Sequence, residues 1–285
     1  MLKHATNHTQ TRWQTFEKLT MKKIILLFLI LISSISYSQS ENIQVKLDSI
    51  IKEANLLYNY EKAAWTATDL TMSLEGLRNN FGGYIVYNSN DTIYTSIIDK
   101  AQSNRIAQYS FITNEIDRPI NSNLKTSQLS TKERKLLEIK NNIIDQLSDN
   151  KYEIGFPEGF NPNLILIQED KEYKLYIIMG TSESGVIPFG NDYLFRADSD
   201  GKIKTWKKFH SRLIPVQSKM PTGEIITSAT HSHLRTTPYI TATDICTFRL
   251  YSPFTELKEF KVYSPALGKY MKYDTDNNAI EILSE

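Results

Sequence analysis

Apolar and polar positions alternate in three successive ways along this chain: helical spacing at the start, a single helix in the middle, and strand spacing toward the end. Val45, Leu47, Ile50, Ile51, Ala54, Leu57 and Tyr58 recur close to the helical period and predict an amphipathic helix over 43–58. A second helix is expected from Tyr60 to about Leu70. Gly82-Gly83 ends this region, Tyr84 to Tyr87 opens a strand, and the turn-forming residues 88–91 lead into another over Thr92 to Ile98, which reads as a hairpin. A further strand is expected over Ile106 to Ile112, and the polar stretch Thr113 to Leu129, with Pro119 inside it, reads as a loop.

Ser130-Thr131-Lys132-Glu133 has capping-box spacing, and behind it Leu136, Leu137, Ile139, Ile143, Ile144 and Leu147 carry a helix to about Leu147. Gly155, Pro157, Gly159 and Pro162 then interrupt the chain, marking either a domain boundary or a loop within one domain. Strand patterns dominate beyond it. Leu164 to Ile167 and Tyr173 to Met179 form one predicted hairpin; Tyr193 to Ala197 and Ile203 to Phe209 form another around Asp198-Ser199-Asp200-Gly201. That tetrapeptide reads as a tight turn, because a calcium loop needs more acids and a closing glutamate. Ile225 to Thr230 is read as a strand running into His231, Thr241 to Tyr251 as a helix, and Glu259 to Tyr263, Tyr270 to Tyr273 and Ile280 to Leu283 as closing strands. The fold class is therefore α+β: N-terminal helices and a β-hairpin (39–150), then a mixed sheet with one helix after the His231 strand (151–285).

The start of the chain has a different character. Residues 1–20 are polar and unpatterned, whereas Met21-Lys22-Lys23 is followed by an apolar run from Ile24 to Ile32 and by Ser36-Tyr37-Ser38, with small residues where a signal peptidase reads. A signal peptide over 21–38 is expected, cut after Ser38, with 1–20 a misassigned leader. The apolar run is short for a membrane span, so no span is expected after signal removal, and the location is periplasmic or secreted. The lone cysteine, Cys246, excludes an intramolecular disulfide. It sits among Ile245, Phe248 and Leu250 and reads as core. With 33 Lys and Arg against 32 Asp and Glu and no basic block, nucleic acid is not expected as a partner.

Histidine placement adds the chemistry. Of five histidines, His4 and His8 lie in the first twenty residues, while His210, His231 and His233 fall within one short stretch. Residues i and i+2 of a strand share a face, so His231 and His233 can aim two imidazoles at one point. A third ligand from the following helix would give the three-ligand, one-open-position arrangement of catalytic zinc. His210, at the end of a strand, is a possible fourth ligand, a substrate-orienting group, or a satisfied residue at a sheet edge. Asn191-Asp192 reads as a turn, with a partner role for an imidazole N–H as the alternative. Thr241 and Asp244 have capping-box spacing and so have a purely structural reading as well.

His231-Ser232-His233, seven residues, Thr241, two residues and Asp244 resembles the JAMM (MPN-type) metalloprotease motif, with threonine where that family usually has serine. The resemblance covers mainly residues 225–273. It implies Zn2+ held by His231, His233 and Asp244 with a water in the fourth position, and an oxyanion-assisting or ligand-orienting Thr241. The family's upstream glutamate base is matched best by Glu183, with Glu224 as the other candidate. Leu234 stands where the family usually has proline, and Glu183 lies in a segment that Pro188 makes loop-like. The resemblance implies an exported zinc hydrolase of peptide or isopeptide bonds, with a peptide, protein or cell-wall substrate. The alternative is a non-catalytic binding or scaffold protein on the same fold, metal-stabilised or metal-free, favoured if His210 closes the site.

Overall fold

The computed structural model describes residues 43–113 and 115–283; the expected leader and signal peptide lie outside them. Two compact units emerge, 1–49 and 50–285. In the first, the described residues 43–49 are helical. The second opens with helix α1, 50–72, which runs unbroken through Tyr58-Asn59-Tyr60 where two helices were expected. No proline or glycine stands there to end it. Its buried stripe, Ala54, Leu57, Ala63, Ala64 and Ala67, follows the helical period with small side chains that allow close packing. A short helix α2, Glu75–Arg78, follows.

Strands β1 (Phe81–Ser89), β2 (Thr92–Asp99) and β3 (Asn104–Ile112) form an antiparallel meander. The expected loop after β3 contains β4 (Asn121–Asn123) and β5 (Ser127–Gln128), both paired to β3. These fragments are too short and polar to leave a hydrophobic alternation. Helix α3 (Thr131–Gln146) begins at the expected Ser130/Glu133 capping box. Glu133 does more than cap: fully buried, it also accepts hydrogen bonds from Ser96, Arg105 at 3.0 Å and Gln108 at 3.3 Å, tying the helix to β2 and β3.

The remaining strands are β6 (Phe160–Glu169), β7 (Glu172–Thr181), β8 (Val186–Gly190), β9 (Tyr193–Ala197), β10 (Ile203–Lys208), β11 (Leu213–Gln217) and β12 (Ser228–Ser232). Then come helix α4 (Ala242–Tyr251) and β13 (Glu259–Ser264), β14 (Lys269–Asp274) and β15 (Ala279–Leu283). One antiparallel sheet has the order β10-β9-β7-β6, and its inner face packs Leu175, Ile177 and Phe195 with Leu136, Ile139 and Ile143 of α3. The Asp198–Gly201 segment is the expected turn: the Asp198 carboxylate accepts the Asp200 and Lys202 amides, each at 3.0 Å. The segment around Pro188, expected as a loop, is instead the fully buried strand β8, paired with β11. Pro188 lies opposite Pro215 in that two-stranded ribbon, where neither missing N–H interrupts a wider ladder.

In the last sheet, β12-β13-β14-β15, the β12–β13 pair is parallel and the others antiparallel. Parallel neighbours need a crossover, which α4 supplies. The strand leading to His231 starts at Ser228 rather than Ile225, whose side chain is exposed. The α+β class thus holds. Among the described residues no helix is long and apolar enough to cross a membrane.

Candidate metal centre

On β12 the residues around His231 are exposed or half-buried while His231 itself is buried, so one face of the strand turns inward. His233, two residues on, shares that face and is buried; its amide extends the ladder by donating to Tyr263 O at 2.9 Å. The His231 ring packs near Phe189 and Phe260, with centroids at 5.3 and 6.4 Å. Asp244 arrives from the first turn of α4. Its Oδ2 closes the capping box, accepting the Thr241 amide at 2.9 Å and the Thr241 hydroxyl at 2.5 Å, while its own amide donates to Thr241 Oγ1 at 3.1 Å. Thr241 therefore orients the carboxylate. Asp244 Oδ1 is buried and has no hydrogen-bond partner.

His210 follows β10 and is 3 % exposed. Asp192, just past β8, accepts from His210 Nδ1 at 2.7 Å through Oδ1 and from the Thr243 hydroxyl through Oδ2. The Phe209 amide donates to Asp192 O at 3.0 Å, fixing the two loops against each other. Asn191-Asp192 is thus no simple turn, as first read: Asp192 is the buried partner of an imidazole. Gly190 permits this approach, with a φ of +77° and room so tight that a Cβ would lie 2.4 Å from Arg212 O.

His210, His231, His233 and Asp244 converge, their donor atoms all within 4.8 Å of one another. His210 and His233 Nε2 are 2.9 Å apart, and His231 and His233 Nε2 are 3.3 Å apart. Asp244 Oδ1 lies 3.4 Å from His210 Nε2 and 3.4 Å from His231 Nε2, and Oδ2 lies 3.2 Å from His233 Nε2. A tetrahedral zinc site with ligand bonds near 2.0–2.1 Å has edges of about 3.3 Å. The two Asp244 Oδ1 spacings and the His231–His233 edge lie close to that value, and the His210–His233 edge is shorter.

The outer nitrogens point the same way. His233 Nδ1 faces Tyr239 O at 2.8 Å, an acceptor only, so Nδ1 carries the proton and Nε2 turns a lone pair inward. Asp192 imposes the same tautomer on His210. Two lone pairs at 2.9 Å repel unless a cation or a proton lies between them. Burial opposes charge on His210, but the Asp192 and Asp244 carboxylates outweigh it and lift its pKa to about 9. Burial alone would raise Asp244; His210 and His233 hold it well below the usual carboxylate range. A metal ion would replace that proton, the usual coupling of binding to deprotonation. The unpartnered Asp244 oxygen, the inward lone pairs and the His3Asp donor set therefore fit a metal.

An open hollow of about 560 Å³ reaches His210 and His231, with Arg212, Ile214, Thr230 and Leu234 among its walls. Glu183 is elsewhere: exposed, in the loop between β7 and β8, lining another cavity that none of the four donors lines. Glu224 is exposed in a turn, where it accepts from the Thr222 hydroxyl at 3.2 Å. Cys246 is fully buried on α4, where burial pushes its thiol well up. Neither a known protein family, nor a curated protein, nor a solved structure matches this chain.

Proposed function

We propose that this protein binds one zinc ion through His210, His231, His233 and Asp244, and that the ion stabilises the region joining β12, α4 and the loops after β8 and β10. The unpartnered, buried Asp244 Oδ1, facing imidazole nitrogens at close to tetrahedral spacing, carries the reading. Three imidazoles and a carboxylate suit zinc among biological metals. Four protein donors match the closed structural class rather than the catalytic class with an open position. Elemental analysis of purified protein tests it: about one zinc per chain is expected, falling sharply in His233→Ala. Protein purified without metal that also fails to take up added zinc would reject it.

Hydrolysis of peptide or isopeptide bonds is the second reading, supported by the JAMM-like spacing of His231, His233, Thr241 and Asp244 and by the hollow reaching His210 and His231. In it zinc would polarise the scissile carbonyl, Thr241 would go on orienting Asp244, and Glu183 or Glu224 would have to approach from their exposed loops to act as base. Turnover of peptide, protein or cell-wall substrates that is lost in His233→Ala would favour it. Export through 21–38 belongs to the same proposal; N-terminal sequencing that finds residues before Ser38 on the mature protein would remove it.

A further inference from the structure

Away from the histidines, a cavity of about 620 Å³ opens among α1, the start of β1, β6, β7 and the end of α4. That volume lies within the range of roughly 300–1,000 Å³ typical of small-molecule sites. Glu61 lines it and is 1 % exposed. One carboxylate oxygen, Oε1, accepts from Trp65 Nε1 at 2.8 Å, but Oε2 is buried with no hydrogen-bond partner. Lys140 offers no direct contact: its ammonium lies 4.5 Å from the centre of the Tyr84 ring and donates to Tyr84 O at 3.3 Å. A buried carboxylate oxygen left without a partner is costly unless something supplies one.

The walls of the cavity beside it show which charge it favours. Trp65 and Tyr251 meet edge to face at 5.1 Å, and the Tyr251 hydroxyl is fixed by the Thr181 amide at 3.0 Å. Tyr84 and Phe254 complete an aromatic lining. Gly180 lets Asn163 and Tyr251 pack against the floor, since a Cβ there would stand 2.9 Å from the Asn163 amide nitrogen and 3.2 Å from the Tyr251 hydroxyl. Among the described residues lining the cavity, Glu61, Asp69 and Glu183 are acidic and none is Lys or Arg. Ring faces attract cations and repel anions, and the carboxylates add to that preference.

We propose that this cavity binds an organic cation, a primary ammonium or guanidinium on a short apolar stem, with Glu61 as its buried counter-charge and Trp65, Tyr84 and Tyr251 as its walls. A free amine or a Lys or Arg side chain of a peptide would supply the same group. Calorimetric titration of the metal-replete protein at pH 8, above the value of about 7 to which burial lifts the Glu61 carboxyl, tests this with n-butylamine, the blocked tripeptide Ala-Lys-Ala, and glutarate as the anionic control. Saturable, salt-sensitive binding of n-butylamine or the tripeptide is expected, with none for glutarate; tighter n-butylamine binding identifies a free amine, and tighter tripeptide binding a side chain. Glu61→Gln should weaken binding at least tenfold. Asp69→Asn combined with Glu183→Gln, both at exposed positions, should weaken it severalfold and flatten the salt dependence. Failure of both cations to bind, or equal binding by a folded Glu61→Gln, overturns the proposal. Should Glu61→Gln not fold, unchanged affinity and salt dependence in the double variant overturns it as well.

Discussion

Glu61 makes stability depend on pH in a way that can be measured against a single substitution. Burial raises its carboxyl from 4.5 to about 7, against the opposing pull of the Trp65 hydrogen bond and the Lys140 charge. Between those values the folded chain keeps a proton that the unfolded chain has lost, so stability falls as pH rises. The contribution is complete below the unfolded value and gone above the folded one. At about 1.4 kcal/mol per pH unit the whole effect is about 3.5 kcal/mol. Glu61→Gln preserves the shape and has no proton to lose, so its stability relative to wild type should climb by about 3 kcal/mol from pH 4.5 to 7.5. Any fixed cost of burying the amide cancels in that comparison. Lys140, lowered to about 8 by burial against the raising effect of the Glu61 charge, loses that support in Glu61→Gln and titrates lower there, which adds to the climb. Tyr84 and Cys246, both pushed well up, and Tyr251, pushed up to about 12, titrate well above that pH window. Urea denaturation of both proteins at closely spaced pH values, with equal m-values, is the assay; in thermal scans the relative Tm should move by roughly 6–12 °C. Parallel stability curves would refute the placement of an ionisable carboxyl in an unsatisfied, buried setting.

Three further outcomes follow from the proposed zinc site. Asp192→Asn keeps the shape beside His210 but removes the charge that orients it, so zinc affinity measured by chelator competition should fall about 10–100-fold; an unchanged affinity would show that His210 is held by packing alone. Gly190→Ala places a methyl group against Arg212 O at a left-handed φ and should cost more than about 1 kcal/mol by denaturant titration; a neutral result would mean the two loops are free to separate. Stripping zinc with a chelator and restoring it should lower and then raise Tm reversibly, and free zinc at about a thousand times Kd should restore about 4 kcal/mol; identical melting with and without zinc would separate the site from the fold.

The part of the site legible in the sequence is the part built from local rules. His231 and His233 follow from strand periodicity, and Asp244 from a capping box beginning at Thr241. His210 was recognisable as a candidate, but its convergence with the others depends on how β10 and β11 enter and leave their neighbours. In the sequence Asn191-Asp192 reads as a turn because the partners of Asp192, His210 and Thr243, lie 18 and 51 residues away, and no periodicity links such positions. Strand β8 is hidden in the sequence for a similar reason. Pro188 argues against a strand locally, and only Pro215 opposite it in β11 makes the placement harmless. The capping box of α3 was visible, whereas the contacts of Glu133 with Ser96, Arg105 and Gln108 depend on sheet packing.

All four donors lie between residues 210 and 244, and the strands that complete the His231 sheet come later in the chain. During synthesis, therefore, the full ligand set is polymerised before β13, β14 or β15. Closing so short a loop costs little entropy, while a parallel pairing such as β12 with β13 is non-local and slow. An ion taken up by the growing chain would pin β12 to the start of its crossover helix. The late strands would then add one by one to an edge already in place.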